Sequence, residues 1–314
     1  MKKQFALSLL AAVCVAPAFA QSSVTAYGRL NVTLESRKTG DTTDKGVFNN
    51  ASRIGFKGTE DLGGGLKAGF QIETGFNPAT GAAAGTFWGR QSEINLSGSF
   101  GMIRLGNFTS EAYFATADYV SMHNHDTGIS EDKLYGANIG GSNKVAYRTP
   151  AFSGLVAELA VREGNVGGGE RGYDFAVNYD KGPLHLGLGA DKLGDSKQFA
   201  VRGLYELGAI TVGGYYQRDT DTSGAGSRNN FRLAGMYAMG ATELHLNVGK
   251  AGEVGGADGT GATQLTLGVN HNLSKRTKVY GFWTKVNNDS NAAYASGAAG
   301  ADVSSLALGV RHNF

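Results

Sequence analysis

Residues 302–314 read Asp-Val-Ser-Ser-Leu-Ala-Leu-Gly-Val-Arg-His-Asn-Phe, and Phe314 is the last residue of the sequence. Leu306, Leu308 and Val310 alternate with small or polar residues, which is the pattern of a β-strand with one apolar and one polar face. A soluble domain rarely exposes a Phe at its last position, whereas a transmembrane β-barrel places aromatic residues at the membrane interface. We therefore expect Phe314 to face lipid beside the first strand and to serve barrel closure and assembly.

The beginning of the sequence has the organisation of an export signal. Lys2 and Lys3 are followed by an apolar run at 5–15 and by the sequence Ala-Phe-Ala at 18–20, which has the form of a peptidase cleavage site. The apolar run is too short to span a bilayer as a helix. We expect residues 1–20 to be a signal peptide and 21–314 to be one transmembrane β-barrel domain beginning at Gln21.

Charge and cysteine content exclude several classes of function. Cys14 is the only cysteine and lies in the expected signal, so disulfides, thiol catalysis and cysteine–zinc sites are excluded from the mature chain. A lipoprotein is the alternative, but Val13 is a poor match for the small residue required before Cys14. Removing Lys2 and Lys3 leaves 27 Lys and Arg against 27 Asp and Glu. This neutral balance argues against nucleic acid as a partner.

Glycine content and alternation together predict an all-β membrane protein. The chain has 49 Gly and 4 Pro, and its apolar residues are distributed without a run long enough for a membrane-spanning helix. Sixteen alternating segments are present, at 23–35, 52–59, 66–75, 90–97, 102–107, 144–149, 155–163, 172–179, 184–192, 197–207, 209–218, 229–239, 241–250, 262–272, 277–287 and 302–314.

The connections between these segments alternate between short and long, and the long ones include 36–51 and 108–143. Short turns at one end and wide loops at the other are typical of an antiparallel, up-and-down transmembrane barrel. An even number of strands places both termini on the periplasmic side. A soluble β-sandwich is the alternative, but its loops show no such two-sided bias.

The hairpin sequence at 52–68, SRIGFKGTEDLGGGLKA, resembles the second hairpin of Gram-negative general porins of the neisserial and burkholderial type. Further matches are VTAYG at 24–28, LSGSFG at 96–101, RLG at 104–106, YRTP at 147–150, LSKRT at 273–277 and LGVRHNF at 308–314. The resemblance implies a 16-stranded, homotrimeric, water-filled pore in the outer membrane, with no cofactor and with the third extracellular loop folded into the lumen. The loop at 108–143 lacks the acidic-Phe-Gly patch of enterobacterial porins.

We expect this long loop to form one side of a pore constriction, because a 16-stranded barrel leaves a wide aqueous lumen. The predicted acidic loop residues are Glu111, Asp118, Asp126, Glu131 and Asp132. The predicted basic wall, on the polar faces of neighbouring strands, consists of Arg29, Arg53, Lys57, Arg104, Lys144 and Arg148. We expect Arg29, Arg53 and Lys57 to face Glu111 and Asp118 across the narrowest point. Charges arranged in this way set ion preference, and mild anion preference is expected where wall bases outweigh loop acids.

A metal site or a catalytic site is a weaker interpretation. His123-Asn124-His125-Asp126 has two histidines and a carboxylate at close spacing, but a tetrahedral zinc site lacks further ligands. We therefore expect no catalytic, cofactor-binding or metal-binding residues. The sequence favours passive passage of ions and small hydrophilic solutes, with outer-membrane lipid and further copies of the chain as partners. The alternatives are a barrel enzyme of the lipase or protease type and an adhesive or structural barrel.

Overall fold

The computed structural model describes residues 23–123, 127–136, 141–164, 169–222 and 224–314. In these ranges the chain forms seventeen β-strands: β1 Ser23–Thr39, β2 Thr42–Asn49, β3 Arg53–Gly63, β4 Leu66–Gly75, β5 Gln91–Gly98, β6 Gly101–Asn107, β7 Lys144–Arg148, β8 Leu155–Arg162, β9 Gly172–Lys181, β10 Leu184–Leu193, β11 Ser196–Leu207, β12 Ile210–Thr220, β13 Ser227–Met239, β14 Thr242–Ala251, β15 Ala262–Asn272, β16 Thr277–Asn288 and β17 Val303–Asn313.

These strands form one closed antiparallel barrel. From β3 to β17 each strand pairs with the next, and β17 returns to pair with β1 from Arg29↔Asn313 to Thr39↔Val303. Strand β2 pairs with the second half of β1, from Val32 onward, and β3 pairs with the first half. Because β2 and β3 follow one another along the same side of β1, they occupy one position in the wall. The barrel therefore has sixteen strand positions, as the sequence predicted.

The expectation of a long loop at 36–51 is wrong. The two strands continue as a hairpin past the apolar band, with Ser36 opposite Lys45 and Thr39 opposite Thr42, and they turn at 40–41. At 36–46 the residues on both faces are polar. The sequence therefore lacks the alternation of apolar and polar residues that would indicate a strand. The hairpin is instead held by its continuous pairing with β17.

The two faces of the wall differ in chemistry. One face presents exposed apolar side chains, among them Leu34, Leu233 and Leu308, whose exposed fractions are 64%, 70% and 70%. The other face carries polar side chains that are largely buried, such as Gln217 and Asn230. Successive strand residues point to opposite faces, which produces this separation. An apolar outer band with a polar opposite face is the arrangement of a membrane-spanning barrel.

The longest connection runs from 108 to 143, between β6 and β7, as the sequence predicted. The described part of this loop contains an α-helical turn, α1 (Glu111–Tyr113), followed by a π-helical turn at Phe114–Asp118 and a 3₁₀ turn at Gly128–Ser130. No helix among the described residues is long and apolar enough to cross a membrane.

Candidate functional site

The 108–143 loop is attached to the polar face of the wall at its first helical turn. The backbone N–H groups of Glu111 and Ala112 each donate to the Asp174 carboxylate of β9, both over 3.1 Å. A carboxylate that accepts from the first N–H groups of a helical turn satisfies donors that have no partner within the turn. Asp174 therefore positions the start of α1 against β9.

Two glycines of β10 allow the loop backbone to lie directly on the wall. A Cβ atom at Gly187 would be 2.1 Å from the Ala115 carbonyl oxygen, and one at Gly189 would be 2.5 Å from the Ala112 carbonyl oxygen. Both distances are far below van der Waals contact, so a larger residue at either position forces the loop away. Next to them, Arg202 of β11 donates from Nε to the Ala115 carbonyl over 2.8 Å.

The middle of the loop packs into an aromatic cluster on the polar face of β14 and β16. The ring of His123 is 2% exposed, and its centroid lies 5.0 Å from that of His245, 6.2 Å from that of Tyr280 and 6.0 Å from that of Phe282. Burial lowers the pKa of His123 to about 3, and His245 and Lys278 act in the same direction. His123 is therefore neutral at neutral pH.

The loop reaches β16 and then returns along the wall. Ile129 packs with Tyr280, Phe282 and Val286 in a buried apolar cluster. On the return path, Gly136 and the Gln217 side chain of β12 exchange two hydrogen bonds, of 2.9 Å and 2.6 Å. The described part of the loop thus contacts polar-face side chains from β9 to β16, and it also reaches Arg148 of β7 and Asn50 between β2 and β3.

Three of the predicted basic residues belong to one network beside the start of the loop. Arg104 donates to both Glu93 and Glu158, with its Nη1 atom 3.0 Å from either Glu158 oxygen. Arg148 donates to Glu158 over 2.7 Å, and Lys144 Nζ lies 4.0 Å from an Asp174 oxygen. The positive charges of Arg104, Lys144 and Arg148 are therefore opposed by carboxylates of the wall itself.

The other three predicted basic residues lie on β1 and β3. Arg29 and Arg53 are register partners, and Arg29 Nε donates to Asn313 Oδ1 over 3.2 Å. Arg53 Nε lies 3.7 Å from a Glu73 carboxylate oxygen. Lys57 is exposed, and its ammonium group lies 5.3 Å from the centre of the Tyr27 ring. These bases lie on the adjacent strands β1 and β3, whereas Arg104, Lys144 and Arg148 lie on β6 and β7.

Three of the predicted loop acids have basic partners. Glu111 pairs with Arg148 over 2.7 Å, and burial raises the pKa of Glu111 although Arg148 opposes this shift. Glu131 pairs with the neighbouring Lys133 over 2.5 Å. Asp132 lies 3.4 Å from Arg232 and accepts from the Tyr215 hydroxyl. Asp118 is partly buried at the end of the π turn, and Asp126 lies outside the described residues.

Sequence reasoning missed the residues that hold the loop on the far strands. Arg202, Arg228 and Arg232 are on the polar faces of β11 and β13, and Arg228 donates from Nη2 to the Leu134 carbonyl over 2.8 Å. Their alternation is visible in the sequence, but these strands are distant from the loop along the chain, so nothing local connects them with it. Lys278 and Arg311 are register partners on β16 and β17 and extend the row of bases from β1 and β3. Alternation along the strands places the arginines of β11 and β13, and also Lys278 and Arg311, on the polar face.

The terminal residue pairs with the first strand. The Phe314 N–H donates to the Gly28 carbonyl over 3.1 Å, and the Gly28 N–H donates to the Phe314 carbonyl over 3.0 Å. The Phe314 side chain is 43% exposed and belongs to the same barrel face as Leu30. It therefore completes the seam between β17 and β1 on the apolar face.

A metal centre has no support from the described side chains. Within these residues, no three His, Cys, Asp or Glu side chains form a group that could hold a metal ion. His125 and Asp126, which belong to the histidine-rich sequence at 123–126, lie outside the described residues.

Comparison with known proteins identifies the family of the chain. A family model described as Gram-negative porin matches residues 6–291. Outer membrane porin protein 32 of Delftia acidovorans is 33% identical, over 90% of this chain and 88% of that protein. Major outer membrane protein P.IB of Neisseria lactamica is 29% identical, over 88% and 91%. A solved structure titled anion-selective porin from Comamonas acidovorans has a TM-score of 0.79 at 27% identity and covers 94% of this chain and 100% of its own. The resemblance inferred from the 52–68 hairpin is confirmed, and the chain belongs to the Gram-negative porin family.

Proposed function

We propose that this porin is a general diffusion channel whose 108–143 loop lies inside the lumen and narrows it. The chain is an outer-membrane β-barrel channel, and porins are not enzymes, so a barrel lipase, protease or adhesin is not favoured. The loop contacts carry the proposal. Asp174, Arg202 and Gln217 bind it from the polar face, the face that lines the water-filled interior of a membrane barrel.

In this arrangement most contacts of the loop are with β9–β16, and solutes pass beside the polar faces from the end of β16 to β3. Those faces carry Lys278 on β16, Arg311 on β17, Arg29 on β1, and Arg53 and Lys57 on β3, and Glu73 of β4 pairs with Arg53. The loop carboxylates Glu111, Glu131 and Asp132 each have a basic partner within 4 Å. The polar faces from β16 to β3 carry more basic than acidic side chains, so we expect positive charge to predominate for an ion that crosses the constriction.

We propose a mild preference for anions on this basis. Charged rows of one sign along a pore wall favour counter-ions. The relative from Comamonas acidovorans that shares the fold is itself titled an anion-selective porin. The predicted opposition of Arg29, Arg53 and Lys57 to Glu111 and Asp118 is part of this proposal, with water between the two sides.

The experiment is the reversal potential in a salt gradient across a planar bilayer. Arg53→Glu should move the reversal potential toward cation preference, most strongly at low salt, where the Debye length is longest. Lys45→Glu is the matched control, because Lys45 is an exposed residue of the β1–β2 hairpin extension. An unchanged potential in Arg53→Glu, or a wild type that prefers cations, would overturn the anion assignment while leaving the channel itself intact.

Oligomeric state and export complete the proposal. The apolar face near the chain ends carries small and apolar residues that permit close approach between barrels, namely Ala26, Gly28, Leu30, Ile54, Phe56, Ala68 and Phe70. We propose a homotrimer, since a homo-oligomer in one plane closes by cyclic symmetry. Ser23 and Phe314 lie toward the barrel end with the short turns, which we assign to the periplasm, and signal cleavage should leave Gln21 first. Mass measurement in a gentle detergent and N-terminal sequencing test these statements.

A further inference from the structure

The partly exposed ring of Tyr27, on the polar face of β1, lies across the neighbouring strand β3 between basic side chains. We propose that this ring is a stacking subsite for aromatic carboxylates, planar anions such as benzoate, and that Arg53 and Lys57 bind the carboxylate group. The inference rests on the proposed diffusion channel, and it names a class of solute that the wall from β1 to β4 retains during passage.

The position of the ring depends on the absence of a side chain at Gly55. Tyr27 and Gly55 are register partners, and a Cβ atom at Gly55 would be 2.7 Å from both Cζ and Oη of Tyr27. The ring therefore crosses β3, and its hydroxyl oxygen accepts a hydrogen bond of 2.6 Å from Nε2 of Gln71 on β4. The side chain is thus fixed at both ends, so a solute that stacks on it causes little further ordering of the protein.

Basic side chains lie on both sides of the ring along the strands. Arg29 and Arg53 form the register row on one side, and Lys57 lies two residues beyond Gly55 on the other side. A rise of about 3.4 Å per residue separates Arg53 from Lys57 by roughly 14 Å along β3, with the ring between them. The Lys57 Nζ atom is 5.3 Å from the centre of the ring. A carboxylate carried by a stacked ring therefore has a cation within reach in either direction.

One carboxylate, that of Glu73, adjoins this subsite. Glu73 is opposite Gly55 on β4 and is only 8% exposed. Its Oε1 atom lies 3.7 Å from Nε of Arg53 and 2.6 Å from Nε of Arg90. Two arginines therefore oppose one carboxylate, and Lys57 adds a third positive charge. The balance disfavours an aromatic cation and favours an aromatic anion, since ionised donors bind carboxylates strongly.

Stacking distinguishes an aromatic acid from an aliphatic acid of similar size. Pairs of aromatic rings in offset-stacked or edge-to-face arrangements are more favourable than their buried apolar area alone accounts for. Benzoate and cyclohexanecarboxylate have the same charge and a similar volume, but only benzoate is planar and aromatic. A difference between these two anions therefore reports on the Tyr27 ring and not on anion preference alone.

The test measures how each acid blocks the chloride current of the mature protein in a planar bilayer. We expect benzoate to halve the conductance at a concentration about two- to tenfold lower than cyclohexanecarboxylate does. Tyr27→Leu should remove this difference, whereas Tyr27→Phe should retain it because the ring remains. Tyr237→Leu is the matched control, since Tyr237 is exposed on the apolar face of β13. Lys57→Gln should weaken the block by both acids.

Equal block by the two acids in the wild type would overturn the subsite, and so would an unchanged difference in Tyr27→Leu. Tyr27→Gln replaces the leucine variant if that variant does not assemble, because glutamine keeps a polar group beside Gln71. Conductance without either acid tests the channel, and the reversal potential in a chloride salt gradient tests the anion preference. A wild type that conducts and prefers anions but does not distinguish the two acids would refute the subsite alone.

Discussion

The basic residues on the wall at β9–β16 differ from those on the wall at β1–β3 in their exposure and in their contacts with the loop. Arg202 and Arg232, on the first wall, are 3% and 2% exposed, and the Arg202 guanidinium donates to a loop carbonyl. On the second wall the Arg53 side chain is 15% exposed and Lys57 is more exposed still. Arg202 is therefore held by the loop, whereas the Arg53 side chain keeps part of its surface accessible. Arg29, on the same wall as Arg53, is only 6% exposed, so position on this wall does not by itself leave an arginine accessible.

The difference shows that polar-face parity alone does not identify a selectivity residue. Parity places Arg104 and Arg53 on the same face, yet Arg104 is enclosed by Glu93 and Glu158 whereas Arg53 has Glu73 at 3.7 Å. A buried cation surrounded by carboxylates contributes little field to the solution. The contacts of the loop and of neighbouring acids decide which charges a passing ion experiences.

The largest expected effect concerns the seam that completes the β1–β3 wall. Deleting Phe314 removes the two backbone hydrogen bonds with Gly28 and the aromatic side chain from the apolar face. We expect a several-fold loss of assembled barrel in the outer membrane, with the conductance of any assembled channels unchanged. Quantitative immunoblotting of membrane fractions measures this. Assembly at the wild-type level would refute the role of Phe314 in closure.

The next largest effect is expected where the loop backbone lies on β10, within the β9–β16 wall. Gly189→Val introduces a Cβ atom where the Ala112 carbonyl is only 2.5 Å away, so the start of the loop must move. Overpacking of this kind costs about 1–3 kcal/mol, and we expect a larger and noisier single-channel conductance. Gly203→Val, on the apolar face of β11 where the nearest atom is 3.9 Å away, should leave conductance unchanged.

Acid pH should weaken the packing of the loop against the same wall, because it protonates His123. Its pKa falls from 6.5 to about 3 on burial, so the folded state favours the neutral ring. The contribution of the neutral His123 ring to the free energy of unfolding is therefore fully present above pH 6.5. It is lost as the pH falls toward 3, and the loss amounts to about 3 kcal/mol at pH 4. The groups facing His123 are His245 and Glu243 of β14, Lys278 of β16 and Arg232 of β13. We expect channel noise and loop proteolysis to rise at pH 4.

His123→Gln supplies the control for that experiment, because glutamine does not titrate. It should have similar noise at pH 4 and pH 7. A pH response as large as that of the wild type would assign the effect to His245 or Glu243 instead.

The smallest effect compares the two walls directly. Arg202→Gln leaves the Ala115 carbonyl without its guanidinium donor, which costs about 1–3 kcal/mol of loop stability. We expect more gating noise and little change in reversal potential. Arg53→Gln should show the opposite result, a shifted reversal potential at normal noise. Equal shifts in the two variants would mean that the loop does not screen Arg202.

Local alternation was sufficient to predict the strands. The reason is that side-chain direction in a strand repeats every two residues, whichever strands pair with it. The segments predicted at 144–149, 184–192 and 262–272 agree with β7, β10 and β15 within two residues. The hairpin extension was missed because polar residues occupy both of its faces over 36–46. The inward Tyr280 and Phe282 were missed because apolar residues occupy both faces of β16.

The sequence by itself determined the barrel, its strand number and the position of its longest loop, since each follows from local periodicity, loop length or family motifs. Only the tertiary structure decided where that loop lies. Its path depends on Asp174, Gly187 and Gly189, which are far away in the sequence and carry no motif. Closure of the barrel brings these residues onto one surface. Desolvation and contact there distinguish Arg202, which holds the loop, from Arg53, whose side chain remains 15% exposed.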